Sequence, residues 1–331
     1  MQKIVVRGTN WIGDVVMSLP FYEGMKEAWP GTDIYVLTRP HLSRLYACNS
    51  NIKGIITINE DHRAFGWARA IRQIRAIRPD CIITLPHSFS SALFSFFSGT
   101  PVRYGRACHY RSVFFTSPVY GTIEGYPGHQ ADFYMEMLQA ITGYRSKACT
   151  PWIHISQREM DRSAALLNGI KTPILGLFTS AAYGMAKIWP RANFIDLAKR
   201  YIDVTNGSVV LFGSKADIQY NETIKGELDD KCYNLAGRSD ILETVALMKR
   251  CAVVVANDSG PMHLGAASGT RTIGIFGSTN PERTAPRGGD AHYIYKDLEC
   301  APCMEHTCRY GTYDCLKAVT PSEVLDLALG H

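Results

Sequence analysis

Short apolar runs alternating with amphipathic stretches of helical period predict an α/β chain of two doubly wound units. Three observations carry this prediction. Ten apolar runs fall into two groups of five, at 3–7, 33–38, 54–58, 81–85 and 102–105 in the first half, then at 174–178, 208–212, 232–235, 252–256 and 272–276. Two of the later runs end alike, in Phe212-Gly213-Ser214 and Phe276-Gly277-Ser278, as the repeated layout of one sheet would have it. The length, 331 residues, suits two domains of ordinary size. A helix from Gln157 to Leu167 is expected to link them, which sets the domains at 1–165 and 166–331.

Composition narrows the class. The net charge is a modest +5, so no nucleic-acid partner is expected. It is unevenly spread: residues 1–165 carry 18 Lys and Arg against 12 Asp and Glu, the remainder 17 against 18. Arg69, Arg72, Arg75 and Arg78 recur every three residues among Ala70, Ile71, Ile74 and Ile77, a basic stripe beside an apolar one. It reads as a solvated helix face or as a contact for an anionic surface. Met1-Gln2-Lys3 leads straight into an apolar strand and no apolar run reaches spanning length, so a cytosolic chain with mostly reduced cysteines is expected. Residues 88–97 are apolar enough to touch a membrane, but a buried helix packed on the sheet is the stronger expectation.

Ligands of open parallel sheets bind beyond the carboxyl ends of the strands, so the loops there carry the chemistry. The run Val253-Val254-Val255 enters Asn257-Asp258-Ser259-Gly260-Pro261-Met262-His263, where Asp258 and Ser259 can cap a helix and Pro261 suits its first turn. Such a start directs N–H groups and positive dipole at an anion, and His263 lies one turn further on. Thr179-Ser180 opens a loop of small residues with one lysine, Lys187, before Trp189-Pro190. Small side chains let backbone amides approach a phosphate, and Lys187 can neutralise it. Gly213-Ser214 with Asp217, and residues 277–287, complete the set in the second half. In the first half, Asn10-Trp11-Ile12-Gly13-Asp14 leaves strand one, and Asp14 falls at the next helix start as a base or as a cap.

A dehydrogenase is the rival enzyme class, since Tyr183-x3-Lys187 imitates a catalytic pair of short-chain dehydrogenases. There the pair rides inside a long helix, whereas here Gly184 follows the tyrosine and Pro190 comes three residues after the lysine. Thr38-Arg39-Pro40 also stands where a dinucleotide site needs an acid.

Six segments in order resemble glycosyltransferase family 9, the ADP-heptose:lipopolysaccharide heptosyltransferases. They are Gly8 to Asp14 with Met17-Ser18, Leu85 to Leu93, Ala186 to Pro190, Leu211 to Ser214, Asn234 to Gly237 and Asn257 to His263. The resemblance implies a GT-B fold, two Rossmann-like doubly wound domains facing a central cleft. It implies inverting transfer of L-glycero-D-manno-heptose from ADP-heptose to the heptosyl-Kdo2-lipid A inner core of lipopolysaccharide in a Gram-negative bacterium. The enzyme would be cytoplasmic, peripheral at the inner face of the inner membrane, and would need no cofactor for catalysis. Asp14 then matches the general base and Lys187 the lysine that stabilises departing ADP. Thr179, Ser180, Gly213, Ser214, Asp217, Asp258, Ser259, Gly260, Met262 and His263 join Lys187 at the donor. Asn10, Trp11, Gly13, Arg63, His87, Arg106 and Arg111 are the acceptor-side candidates, with Arg103 added on location and charge. Two alternatives share the scaffold: a member with another acceptor, a protein included, and a non-catalytic sugar-nucleotide binder.

Cys300-x2-Cys303-x4-Cys308-x6-Cys315 places four thiols within sixteen residues. They can form a structural zinc or iron site, disulfide or redox-labile pairs, or free thiols. The other six cysteines read as core, and His62, His109 and His129 as surface.

Overall fold

The computed structural model describes residues 1–59, 63–108 (side chains from 65), 110–121, 128–147, 150–228 and 230–330. The chain divides into two compact units, Met1–Pro151 and Trp152–His331. Each holds one six-stranded, wholly parallel sheet. The first runs β3-β2-β1-β4-β5-β6, from β1 (Lys3–Arg7), β2 (Asp33–Thr38), β3 (Ile52–Thr57), β4 (Cys81–Thr84), β5 (Val102–Arg106) and β6 (Ser117–Val119). The second runs β12-β11-β10-β7-β8-β9, from β7 (Ile174–Phe178), β8 (Ser208–Phe212), β9 (Cys232–Asn234), β10 (Val253–Asn257), β11 (Thr272–Ile275) and β12 (Ala291–Ile294). Counted within each unit, the order is the same doubly wound order, 3-2-1-4-5-6.

All ten predicted strands form. The sequence reading misses β6 and β12, one edge strand of each sheet, for a physical reason. Edge strands are half-exposed and short, and β6 contains Pro118, which an edge tolerates because one row of its N–H groups needs no partner. The central strands β4, β7, β8 and β10 are buried along their whole length, which is why they read as unbroken apolar runs. The helix Gln157–Leu166 does not act as a link. It belongs to the second unit and packs on helix Ile241–Met248, where Arg250 donates to Ser163 Oγ at 2.8 Å and to the Met160 carbonyl at 3.0 Å.

The nine described cysteines are all free thiols. Cys81, Cys232 and Cys251 are core residues, and burial pushes each thiol up to about 12; Cys48 and Cys108 are half-buried, and Cys149 lies outside the described residues. His62 and His109 also lie outside them. His129 corrects the expectation of a surface residue: it is buried, and its Nδ1 accepts the Ala131 N–H at 3.1 Å as the cap of helix Gln130–Thr142.

The loop after β7 contains one backbone conformation that only glycine accommodates. Gly184 has φ of 150°, and a Cβ there would lie 2.4 Å from the His306 carbonyl oxygen. Gly184→Ala is therefore expected to destabilise the protein by roughly 1–3 kcal/mol. Gly289→Ala, where a Cβ meets nothing within 4 Å, should stay near the parent in the same denaturant titration.

Candidate active site

In the first sheet, strand order reverses between β1 and β4, and the loops leaving those two strands line one cavity of about 340 Å3. Thr9, Asn10, Trp11 and Asp14 come from the first loop, Leu85 to Ser88 from the second, and Gln130 and Tyr134 from the helix Gln130–Thr142. Asp14 sits in the first turn of helix Ile12–Met17, the positive end of its dipole. Tyr134 donates to Asp14 Oδ1 at 3.4 Å. Burial and then the neighbouring Asp14 charge hold the Tyr134 hydroxyl well above the ordinary tyrosine range, so it keeps its proton. Below the loop, the Thr9 N–H donates to Tyr46 Oη at 3.1 Å. A Cβ at Gly8 would lie 2.4 Å from that oxygen, so glycine is what lets the phenol reach the loop.

The predicted acceptor residues separate. Asn10, Trp11 and His87 line the cavity, and Trp11 is exposed at its rim. Gly13 is part-exposed in the same turn as Asp14. Arg111 is corrected. It is fully buried and its guanidinium donates to the carbonyls of Pro86, Ser88 and Arg106 at 2.8, 3.0 and 3.1 Å, so it clamps the loop after β4 from beneath. Burial also draws its pKa down, against the opposing pull of the Cys108 thiol beside it. Arg106 is buried too, its guanidinium 5.1 Å from the Phe133 ring centre, and it lines a separate small cavity with Val119 and Tyr120. Arg103 is tied to the Phe114 and Thr100 carbonyls. The side chain of Arg63 lies outside the described residues.

In the second sheet, order reverses between β10 and β7, and the loops there meet again. Lys187, in the short 3-10 turn Met185–Lys187, places Nζ 2.5 Å from Asp258 Oδ2, and both side chains are nearly buried. Thr279, from the loop after β11, donates to the same oxygen at 2.5 Å. The lysine also lies 4.6 Å from the Tyr183 ring centre. Asn257 ties the loops together: its Oδ1 accepts the Trp189 N–H at 2.9 Å, and its Nδ2 donates to the Phe178 and Ser180 carbonyls at 3.5 and 3.4 Å.

This arrangement departs from the expected capping of helix Gly260–Ser268. Ser259 occupies the cap position but makes no side-chain cap bond; its hydroxyl donates to the Asn257 carbonyl at 3.1 Å. Asp258 spends its carboxylate on Lys187 and Thr279. The helix start thus keeps its positive end free of a side-chain acceptor, next to a buried cation. Ser278 Oγ is buried in the adjoining loop with no hydrogen-bond partner among the described residues.

Other predicted donor residues take structural positions. Asp217 Oδ2 accepts from the Ser214 N–H and Oγ at 2.6 and 2.7 Å, closing the turn after β8, and Gly213 is glycine because a Cβ would lie 2.7 Å from Asp217 Cβ. Thr179 donates to Asn221 Oδ1 at 2.7 Å in the interior. Ser180 offers its carbonyl to Asn257. Met262 is fully buried and its sulfur fills the space above Gly274, so it packs the helix on β11. Gly260 begins that helix and His263 is buried on it. Tyr134 and Gln130 are absent from the predicted set, and Ser278 and Thr279 fall in its 277–287 loop without being named there.

The four clustered thiols share one neighbourhood: after burial, the charges of Cys300, Cys303 and Cys308 raise the Cys315 thiol further. Among the described residues no three His, Cys, Asp or Glu side chains are grouped to hold a metal ion. Cys300 is exposed and the other three are half-buried. Backbone N–H groups, that of Tyr313 first, lower the Cys308 thiol, while burial raises Cys315. Among the described residues no helix is long and apolar enough to cross a membrane.

Comparison with known proteins bears on this geometry. The sequence profile of glycosyltransferase family 9 (heptosyltransferase) matches residues 67–314. The chain is 29% identical over 360 residues to lipopolysaccharide heptosyltransferase 2 of Escherichia coli, covering 98% of this chain and 97% of that one. It is 29% identical over 316 residues to lipooligosaccharide heptosyltransferase 2 of Haemophilus influenzae, covering 88% of each. Among solved structures, the Escherichia coli ADP-heptose LPS heptosyltransferase II superposes with a TM-score of 0.83 at 25% identity over 99% of both chains. The family 9 glycosyltransferase of Veillonella parvula does so with a TM-score of 0.85 at 22% identity over 100% of this chain and 98% of that one. The two parallel sheets are those of a GT-B glycosyltransferase, and the chain belongs to glycosyltransferase family 9, the heptosyltransferases.

Proposed function

We propose that this enzyme transfers L-glycero-D-manno-heptose, with inversion, from ADP-heptose to the heptosyl-Kdo2-lipid A inner core of lipopolysaccharide, working peripherally at the inner face of the inner membrane. The observation that carries the reading is Lys187, nearly buried and held by Asp258 beside a helix start that no side chain caps. Departure of ADP concentrates negative charge on its terminal phosphate, and a preorganised cation with oriented amides is what such charge requires. In this scheme the positive charge comes from the protein itself. Asp258 holds the lysine in place, Ser278 Oγ supplies a donor that a phosphate oxygen would satisfy, and Asp14 works on the other substrate. Asp14 takes the proton from an acceptor hydroxyl as that oxygen bonds to the anomeric carbon and the bond to the ADP oxygen breaks. It is the one carboxylate among the described residues lining its cavity, which suits a single displacement with one base. The reaction requires both loops to reach one sugar.

Similarity to lipopolysaccharide and lipooligosaccharide heptosyltransferases 2 supports a lipid-linked saccharide as acceptor. Mass spectrometry of mono-heptosylated Kdo2–lipid A after incubation with ADP-heptose tests the whole reading. The parent is expected to add one heptose. No addition while ADP-heptose still binds would transfer the reading to another acceptor, and no binding of ADP-heptose would overturn it.

Three substitutions test the roles. Asp14→Asn should retain donor affinity and lose transfer by about 10²–10⁴-fold; equal turnover would remove Asp14 as the base. Lys187→Ala should weaken ADP binding by about ten-fold or more in calorimetry, and an unchanged Kd would remove the lysine from the leaving group. Tyr134→Phe, which deletes only the hydroxyl that orients Asp14, should lower kcat by about ten-fold with KM for ADP-heptose unchanged. A parental kcat would leave Tyr134 a packing residue.

A further inference from the structure

The helix Phe89–Ser98 is apolar on two sides. One side packs inward through Ser91, Ala92, Phe94, Ser95 and Ser98, as the sequence predicts. The other carries Phe89, Leu93, Phe96 and Phe97, spaced i, i+4, i+7 and i+8 as one stripe, and the three phenylalanines are 54, 46 and 49% exposed. Phe114 of the turn Ser112–Phe114 joins them, its ring centre 5.2 Å from Phe89 and 5.8 Å from Phe96, with Val113 beside it 76% exposed. Phe96 and Phe97 are 5.6 Å apart. Phe89, Phe114, Phe96 and Phe97 thus touch in succession as one aromatic patch, unlike the scattered single apolar residues that protein surfaces tolerate.

The charge around this surface has one sign. From His62 to Gly121 the sequence carries eight arginines and one acid, Asp80. Asp80 is engaged at the opposite ends of the strands by the N–H groups of Gln2 and Lys3. Arg103 lies 5.6 Å from the Phe96 ring centre, and Arg75 donates to the Phe97 carbonyl at 3.0 Å. Arg69 and Arg72 continue outward along the exposed face of helix Arg63–Ile77. An apolar aromatic face rimmed by arginines matches the boundary between acyl chains and anionic headgroups. It matches a second copy of itself poorly, because a two-fold contact would set the arginine rims against each other. The position also suits a bilayer: Ser88, which caps this helix, lines the cavity that holds Asp14.

We propose that Phe89, Phe96, Phe97, Val113 and Phe114, rimmed by Arg75 and Arg103, form the surface by which the protein docks on a bilayer of anionic phospholipid. The inference deepens the reading that the acceptor is lipid-linked, and it is tested without any acceptor. The full chain is sedimented with vesicles of phosphatidylethanolamine and phosphatidylglycerol, and with vesicles of phosphatidylcholine alone. The parent is expected to bind the anionic vesicles in a salt-sensitive way, and the double variant Phe96→Ser/Phe97→Ser to partition ~10-fold more weakly while melting no lower than the parent. Phe89→Ser, two turns away on the same stripe, repeats the measurement should the double variant misfold. Parental vesicle binding by the variants, or none by the parent, overturns the surface. So does a parent dimer that the variants dissolve without any change in vesicle binding, which would assign the face to a second copy. Failure here with heptose transfer to the lipid-free core oligosaccharide intact rejects the docking surface alone; vesicle binding with no transfer rejects the reaction alone.

Discussion

Reversal of strand order in each parallel sheet is the constraint from which the crevice of each unit follows. β1 and β4 in one unit, and β7 and β10 in the other, are neighbours whose chains leave toward opposite faces, so a crevice opens between their outgoing loops. Asp14 and His87 stand at the first crevice, Lys187 and Asp258 at the second. The same topology thus places a carboxylate over one sheet and a buried ammonium over the other. What differs is the chemistry of the loops, and the fold leaves that free to differ.

The second crevice is held by buried polar bonds that a purely apolar design would avoid. Asn257 is fully buried at the last position of β10, and its amide serves Trp189, Phe178 and Ser180 together. Left unpaired, such an amide would cost about 1–3 kcal/mol, so its three bonds oblige the loop after β7 to take one path. That path ends with Lys187 against Asp258. Thr279 then fixes the carboxylate from the third loop, so the ammonium has one position before any ligand arrives. A cation preorganised in this way costs no rearrangement when charge develops beside it. The uncapped helix at Ser259 belongs to the same logic, since a side-chain oxygen there would occupy the amides an anion needs.

Most of this was legible where neighbours in sequence are neighbours in space. The Val253 to Val255 run, the loop that follows it and the Gly8 to Asp14 turn are local signals, and they mark both crevices. Tyr134 was not legible, because it reaches Asp14 from a helix some hundred and twenty positions on and looks like any core tyrosine of an amphipathic stretch. Thr279 lay in a loop the sequence marked, but its partner did not show, because Asp258 comes from the loop after another strand. Arg111 misled in the opposite direction. Charge and location point to an acceptor contact, yet three carbonyls bent toward one spot can bury a guanidinium completely, and no local pattern announces them. Asp258 and Ser259 read as caps because their residue types are those of caps; Lys187 and Thr279 took the first side chain through tertiary contacts, and the nearby Asn257 carbonyl took the second.

The cysteine-rich segment gains a meaning from where it touches the donor loop. Met304 accepts from the Tyr183 hydroxyl at 2.8 Å and gives its N–H to the Ser278 carbonyl at 2.7 Å. His306 stacks on Tyr183 with ring centres 3.8 Å apart and accepts the Ala186 N–H on its carbonyl at 3.1 Å. Tyr183 is the ring against which Lys187 rests, and Ala186 is the residue before that lysine. The stretch between Cys303 and Cys308 therefore braces the turn that presents the cation, from two sides and largely through backbone atoms. Backbone contacts of this kind depend on the path of the chain and little on its side chains, and the path here is turned sharply by Met304 and Gly311 at positive φ. A segment so placed can vary in its thiols and still hold Lys187, but it cannot shift its course by an ångström without moving the Lys187 ammonium against Asp258.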